Sequence, residues 1–289
     1  MNFEEFLQQK SIIPKSIARC QREVAKYEKW LELHDKIPET ATKKDLLEYL
    51  KYVKEQRNIT NRTQYHILRT LKYYYTYLSN EYGIKNITCF IEIRGLKRRF
   101  LPAIFTPQEL DLLCDAHYIY TQEYKPNQRE LYYNPNHKKF LQGQYIALTL
   151  IANQALTVLE IENLTQNDFD FRKATVNIRK GLKTAARKLP LEASQMGVLL
   201  QFYADGEGSP FMPNRNNFEY LAKSLRKIQP NFRDFRQIRS SRIVYWLKTE
   251  GLRKTQYLAG HKWVSSTENY LANEIETLQN DMANFHPLN

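Results

Sequence analysis

Cysteine is scarce in these 289 residues, and long apolar runs are missing altogether. Cys20, Cys89 and Cys114 are widely spaced and stand apart from any histidine cluster. That pattern fits buried thiols in a reducing cytosol better than a disulfide framework or a zinc ligand set. No run of about 18 apolar residues exists, which excludes a membrane-spanning helix. The opening MNFEEFLQQK lacks the charged start and apolar segment of a secretory signal. A cytoplasmic protein without cofactor or metal is therefore expected. Core-forming residues are not scarce: 42% of the chain is hydrophobic, enough for two packed domains.

The charge balance points to a polyanionic partner. The formal net charge is +12, and lysines and arginines that displace counterions from phosphates supply most sequence-independent affinity for DNA. Residues 1–100 hold 20 Lys and Arg against 12 Asp and Glu, so eight of the twelve excess charges lie in the first third. Concentration of this kind favours a binding domain over a uniformly basic surface.

Residues 1–95 read as a helical bundle. Ser16 to His34 keeps Ile17, Val24, Tyr27, Trp30 and Leu31 at helical spacing, Thr42 caps a helix with Leu46, Leu47, Leu50 and Val53, and Thr60 to Tyr82 carries Tyr65, Ile67, Leu68, Leu71, Tyr74 and Leu78. Tyr73, Tyr74 and Tyr75 suit the core better than base stacking. Arg69 and Lys72 lie outside the apolar stripe and are the candidate phosphate contacts.

Residues 96–105 change character. Lys97, Arg98 and Arg99 make a basic linker, and Thr106-Pro107 then starts a helix, so a second domain spans 106–289. Within it, Thr106 to His117 and the apolar Gln142 to Ala155 read as helices, Tyr118 to Lys139 as a long loop, and Val158 to Leu164 as a short helix. Phe169 to Phe171, Ala174 to Arg179 and Lys188 to Leu191 alternate like strands. The fold class is mainly α with a small antiparallel β-sheet. A turn between the last two strands carries Lys180 and Lys183.

Asp234 to Tyr270 is the most informative stretch. Arg236 and Arg239 are three apart, so on one helix, which Gly251 ends, they share a face. A short helix from Leu252 to Ala259 ends at Gly260, leaving His261 just past its terminus. A last helix begins behind Ser265, with Glu268 completing a capping box, and carries Tyr270 near its start. This pattern resembles the C-terminal signature of the tyrosine recombinases, the phage-integrase family, which read His-x-x-Arg, then Leu-Gly-His about two dozen residues on, then Tyr nine residues after that histidine. Here Arg236-x-x-Arg239, Leu258-Ala259-Gly260-His261, Thr267 and Tyr270 match, with Arg236 in the place of the usual histidine. The first family box, Leu-Arg-x-x-Glu-Leu, corresponds to Leu156 to Ile161, with Glu160 in place but Thr157 where the arginine belongs.

The resemblance implies an N-terminal core-binding domain and a C-terminal catalytic domain that clamp double-stranded DNA. It further implies a tetramer acting on two DNA sites at the nucleoid, with an accessory DNA-bending protein allowed for, as in integrases of bacterial mobile elements. Tyr270 is implied as the nucleophile that forms a 3′-phosphotyrosine, Arg239 as a phosphate clamp, His261 as a phosphate ligand or proton acceptor, and Lys183, with Lys180 in reserve, as the proton donor to the departing 5′-oxygen. Arg236 is the candidate for the missing charge at Thr157, with Arg242 behind it; Lys180 and Arg242 are also placed against DNA. Apolar Leu271, Ile275, Leu278, Met282 and Phe285 form a tail stripe that in the family docks on a neighbouring protomer. Two other readings share the residues: a DNA-binding relative that has lost catalysis, and a topoisomerase-like enzyme acting on one duplex.

Overall fold

A computed structural model describes residues 1–95, 103–133, 136–182, 184–204 and 215–271. Lys97, Arg98, Arg99, Lys183 and the tail stripe beyond Leu271 lie outside them. The chain divides into two compact units, Met1–Arg99 and Phe100–Asn289, each with its own apolar core.

The first unit holds α1 (Phe3–Gln9), α2 (Pro14–Glu32), α3 (Lys43–Arg57) and α4 (Asn61–Tyr82). Local chemistry sets their ends. Asn2 with Glu5 and Thr42 with Asp45 form capping boxes, Thr60 caps α4, and Pro14 occupies the first turn of α2. Asn58 and Gly83 take left-handed backbone angles that stop α3 and α4. Leu31, Leu46, Leu71, Tyr27 and Tyr75 are among the fully buried side chains that join these helices, each worth roughly 1.5–3 kcal/mol of transfer free energy. Tyr74 and Tyr75 are core residues: Tyr75 Oη shares a 2.9 Å hydrogen bond with Tyr27 Oη, and Tyr74 donates to Glu28. Tyr73 is half-buried, with the exposed Arg69 guanidinium 5.7 Å from its ring centre.

The second unit contains α5 (Pro107–Glu123), α6 (Gln128–Tyr133), α7 (His137–Gln154), α8 (Val158–Glu162), β1 (Phe169–Asp170), β2 (Thr175–Ile178), β3 (Arg187–Pro190), α9 (Ala193–Ala204), α10 (Arg215–Ile228) and α11 (Phe235–Ala259). A last helix, α12, covers residues 264–271. Helix α7 is buried from Gly143 to Ala152 and packs against α5, α9 and α11, which makes it the centre of the core. The expectation of a long loop over 118–139 is corrected. Helix α5 runs on to Glu123, where Tyr120 and Tyr124 rings meet at 5.2 Å, and α6 begins where Asn127 and Glu130 cap each other's backbone N–H groups at 2.9 Å.

The sheet is antiparallel in the order β1-β2-β3, with Val176 facing both Phe169 and Leu189. Along β3 burial alternates, so Arg187 and Leu189 share the inward face. Helix α11 is broken at Gly251, whose φ of 76° and ψ of 171° suit only glycine. Gly260, at φ 68°, ends it. The start of α12 is a second correction: helical backbone begins at Val264, ahead of Ser265, with Ser266 N donating to Trp263 O at 3.1 Å, and among the described residues no Ser265–Glu268 cap forms.

Candidate active site

Helix α11 ends on carbonyls that, like those of any helix C-terminus, lack intrahelical partners. Two guanidinium groups take them. Arg239 Nη2, from the second turn of α11, donates to Ala259 O at 2.8 Å, and Arg187 Nε, from β3, donates to Leu258 O at 2.9 Å. Each cation also complements the negative end of the helix dipole. Between them lies Glu160 of α8. Arg187 Nη1 donates to its Oε1 at 2.6 Å, while Arg239 Nη1 stands 4.0 Å from Oε2. Thr157 N and Oγ1 donate to Oε2 at 2.8 and 2.9 Å, and Glu160 N returns a bond to Thr157 Oγ1, a complete capping box for α8.

The electrostatics follow from this packing. Burial pushes the Glu160 carboxyl up, but the Arg187 bond and charge, the Thr157 N–H and Arg239 outweigh it and hold it below the ordinary glutamate range. Burial, then Arg239 and Arg187, depress His261 to about 4 against a weaker pull from Glu160. The imidazole is therefore neutral at physiological pH. Its Nδ1 shares a 2.9 Å hydrogen bond with the fully buried Thr267 hydroxyl, and its ring stacks on Tyr270 with centroids 5.8 Å apart and planes at 16°. The Tyr270 ring packs against the small cluster of Ala155, Ile243, Leu247 and Ala259. The β2–β3 hairpin is tied to the same turn: Ala185 N donates to Gly260 O at 2.9 Å, and Thr184 and His261 form an isolated bridge.

The structure thus brings Arg239, His261 and Tyr270 together with Glu160. Arg236 and Arg242 are elsewhere. Arg236 is exposed in the first turn of α11 and, among the described residues, makes no hydrogen bond or ion pair. A step of three along the helix crosses from the buried stripe to solvent, so Arg236 and Arg239 do not share an environment. Arg242 donates to Ala152 O and to Asn153 Oδ1 at 3.2 Å, capping the C-terminal end of α7. Lys180 is exposed beside the hairpin turn. Arg187 is the functional candidate that sequence reasoning missed. It shares the inward face of β3 with Leu189, a placement fixed by partners far away in the sequence.

A helical unit followed by a helical unit with a three-stranded sheet, with arginine, histidine and tyrosine converging at the end of one kinked helix, defines the fold of the tyrosine recombinases. Residues 1–84 match the family model described as phage integrase, N-terminal SAM-like domain. Solved structures of like fold include the Tn1549 transposon integrase in complex with a circular intermediate DNA (TM-score 0.62, 15% identity, covering 97% of this chain and 99% of that one). They also include the XerH site-specific recombinase bound to a palindromic difH substrate (TM-score 0.69, 14% identity, 93% of this chain and 79% of that one). A third is a lambda integrase dimer bound to a COC′ core site (TM-score 0.63, 14% identity, 93% of this chain and 74% of that one). No curated protein matches the sequence.

Proposed function

We propose that this protein is a site-specific DNA recombinase of the integrase type, cutting and rejoining double-stranded DNA through a covalent 3′-phosphotyrosine. The observation that carries the reading is the stack of the His261 and Tyr270 rings beside the buried Arg239, an arrangement with a nucleophile, a neutral imidazole and a fixed cation at one place. Tyr270 Oη forms a bond to the scissile phosphorus as the bond to the 5′-oxygen breaks. The phenol proton passes to His261 Nε2 or to solvent, since Nδ1 is engaged by Thr267. Lys183, or Lys180 in reserve, donates a proton to the departing 5′-oxygen. The phosphotyrosine conserves the ester, so a second DNA hydroxyl rejoins the strand without a high-energy cofactor. Arg236, exposed in the first turn of α11, contributes positive charge toward the DNA backbone.

The named relatives include complexes with DNA, which supports a duplex partner here. Four protomers on two sites, within a bacterial mobile element, is the assembly that the reading implies. In the first unit, His66 is held below its ordinary value by burial, then by Arg19, Arg69 and Arg62, which marks a basic face on α2 and α4. Replacing Arg69 and Lys72 together with alanine should weaken DNA binding across sequences and flatten the dependence of log K on log salt by about 1 per lost phosphate contact. Fluorescence anisotropy at several salt concentrations measures both.

The direct test incubates the full chain with nicked duplexes of randomised sequence, denatures the mixture, and sequences the DNA that stays attached to protein. Enrichment of one site class supports the reading, and exchange between two labelled duplexes of that class separates recombination from resealing of one duplex. No attached DNA in any pool overturns it in favour of a DNA-binding protein without catalysis.

A further inference from the structure

We infer that Arg187 is a catalytic residue, the second guanidinium of the phosphate clamp, doing from β3 what an arginine at Thr157 would otherwise do. The inference rests on the recombinase reading above. Its side chain is fully buried, and three of its contacts fix it: Glu160 Oε1 at 2.6 Å, Leu258 O at 2.9 Å and Ala185 O at 3.4 Å. Its Nη2 is nevertheless buried with no hydrogen-bond partner among the described residues, and so is Arg239 Nη1. Buried donors are normally satisfied. Two orphan guanidinium nitrogens, on arginines pinned to the consecutive carbonyls of Leu258 and Ala259, make a paired donor set beside His261 and Tyr270.

Charge counting identifies the ligand class. Arg187 and Arg239 bring two positive charges, Glu160 one negative, and His261 none near neutral pH. One positive charge is left over in a buried setting, where an uncompensated charge is costly. A phosphodiester monoanion balances it, and guanidinium forks match phosphate oxygens.

The surrounding backbone is shaped for this residue. A Cβ built on Gly260 would lie 2.3 Å from Arg187 Nη1, so a side chain at that position would collide with the guanidinium. The bond from Ala185 N to Gly260 O and the Thr184–His261 bridge hold the strand that carries Arg187 against the turn that carries His261. Thr157, spent on capping α8, leaves Glu160 to orient Arg187.

The test uses the full chain and a nicked duplex selected as above, made with either a normal scissile phosphodiester or a methylphosphonate, which carries no charge. Arg187→Gln should slow single-turnover cleavage of the phosphodiester by about a hundredfold or more with DNA affinity within a few-fold of the unmutated protein. On the methylphosphonate the loss should shrink to less than about tenfold, because there is no anion to neutralise. If Arg187→Gln fails to fold, Arg187→Gln with Glu160→Gln removes both charges of the Arg187–Glu160 pair and carries the same comparison. Equal losses on the two substrates, or no loss in a folded variant, overturn the inference while the unmutated protein still forms adduct. Absence of adduct with the unmutated protein overturns the recombinase reading, and this inference falls with it.

Discussion

Tyr270→Phe should form no covalent DNA adduct, while binding the selected duplex within a factor of a few of the unmutated protein. The phenylalanine ring can keep the stack on His261 and the packing against Ile243, Leu247 and Ala259. Tyr270 Oη makes no hydrogen bond among the described residues, so its removal leaves no buried partner unsatisfied and stability should change by less than about 0.5 kcal/mol. Only the nucleophile is lost. Tyr257 is an unsuitable substitute, because its hydroxyl bonds the backbone of Lys188 at 3.2 and 3.3 Å. Denaturing gels of the protein mixed with end-labelled nicked duplex read the outcome. An adduct with the phenylalanine variant would move the nucleophile to another residue, and peptide mapping of that adduct would say which.

The site was partly legible because its residues obey local rules. Gly251 and Gly260 stop helical segments through backbone angles available to glycine, and the distance from Gly260 to Tyr270 is then set by one turn and the start of α12. Thr42, Thr60 and Thr106 announce helix starts in the same way. Arg187 obeys no such rule. A lysine- and arginine-bearing strand reads as solvent-facing at its charged positions, and strand periodicity alone starts β3 one residue later, at Lys188. What turns Arg187 inward is a carboxylate 27 positions earlier and a helix-end carbonyl 71 positions later. Those partners exist only once α8, β3 and α11 have packed. The same limit explains Arg236: spacing places it within one helical turn of Arg239, but the packing of α11 decides which of them is buried. Helix α6 was missed because a six-residue helix leaves too short a period to detect.

Glu160→Gln should be among the most destabilising single changes in the second unit, costing about 3 kcal/mol at neutral pH. Glutamine keeps the size of the side chain and one acceptor for the Thr157 cap. It removes the charge that Arg187, fully buried, and Arg239, nearly so, both face. Removing one partner of a buried pair leaves the other charge uncompensated, which is where most of the cost arises. The pH dependence follows from the direction of the Glu160 shift. Its folded-state pKa is depressed, so its contribution is complete above the unfolded glutamate value of about 4.3 and is lost as pH falls through the lower folded value. The gap between the two proteins should therefore be full at neutral pH and close in acid. Urea unfolding followed by hydrogen exchange in α8 and β3 measures it, and a gap that persists unchanged to about pH 3 would assign the loss to shape instead of charge. The paired replacement Glu160→Leu with Arg187→Met should recover much of the stability, since well-packed apolar substitutes for buried ion pairs are often neutral or stabilising. It should not recover cleavage. Stability regained without activity would separate what the Glu160–Arg187 pair does for the fold from what Arg187 does for the phosphate.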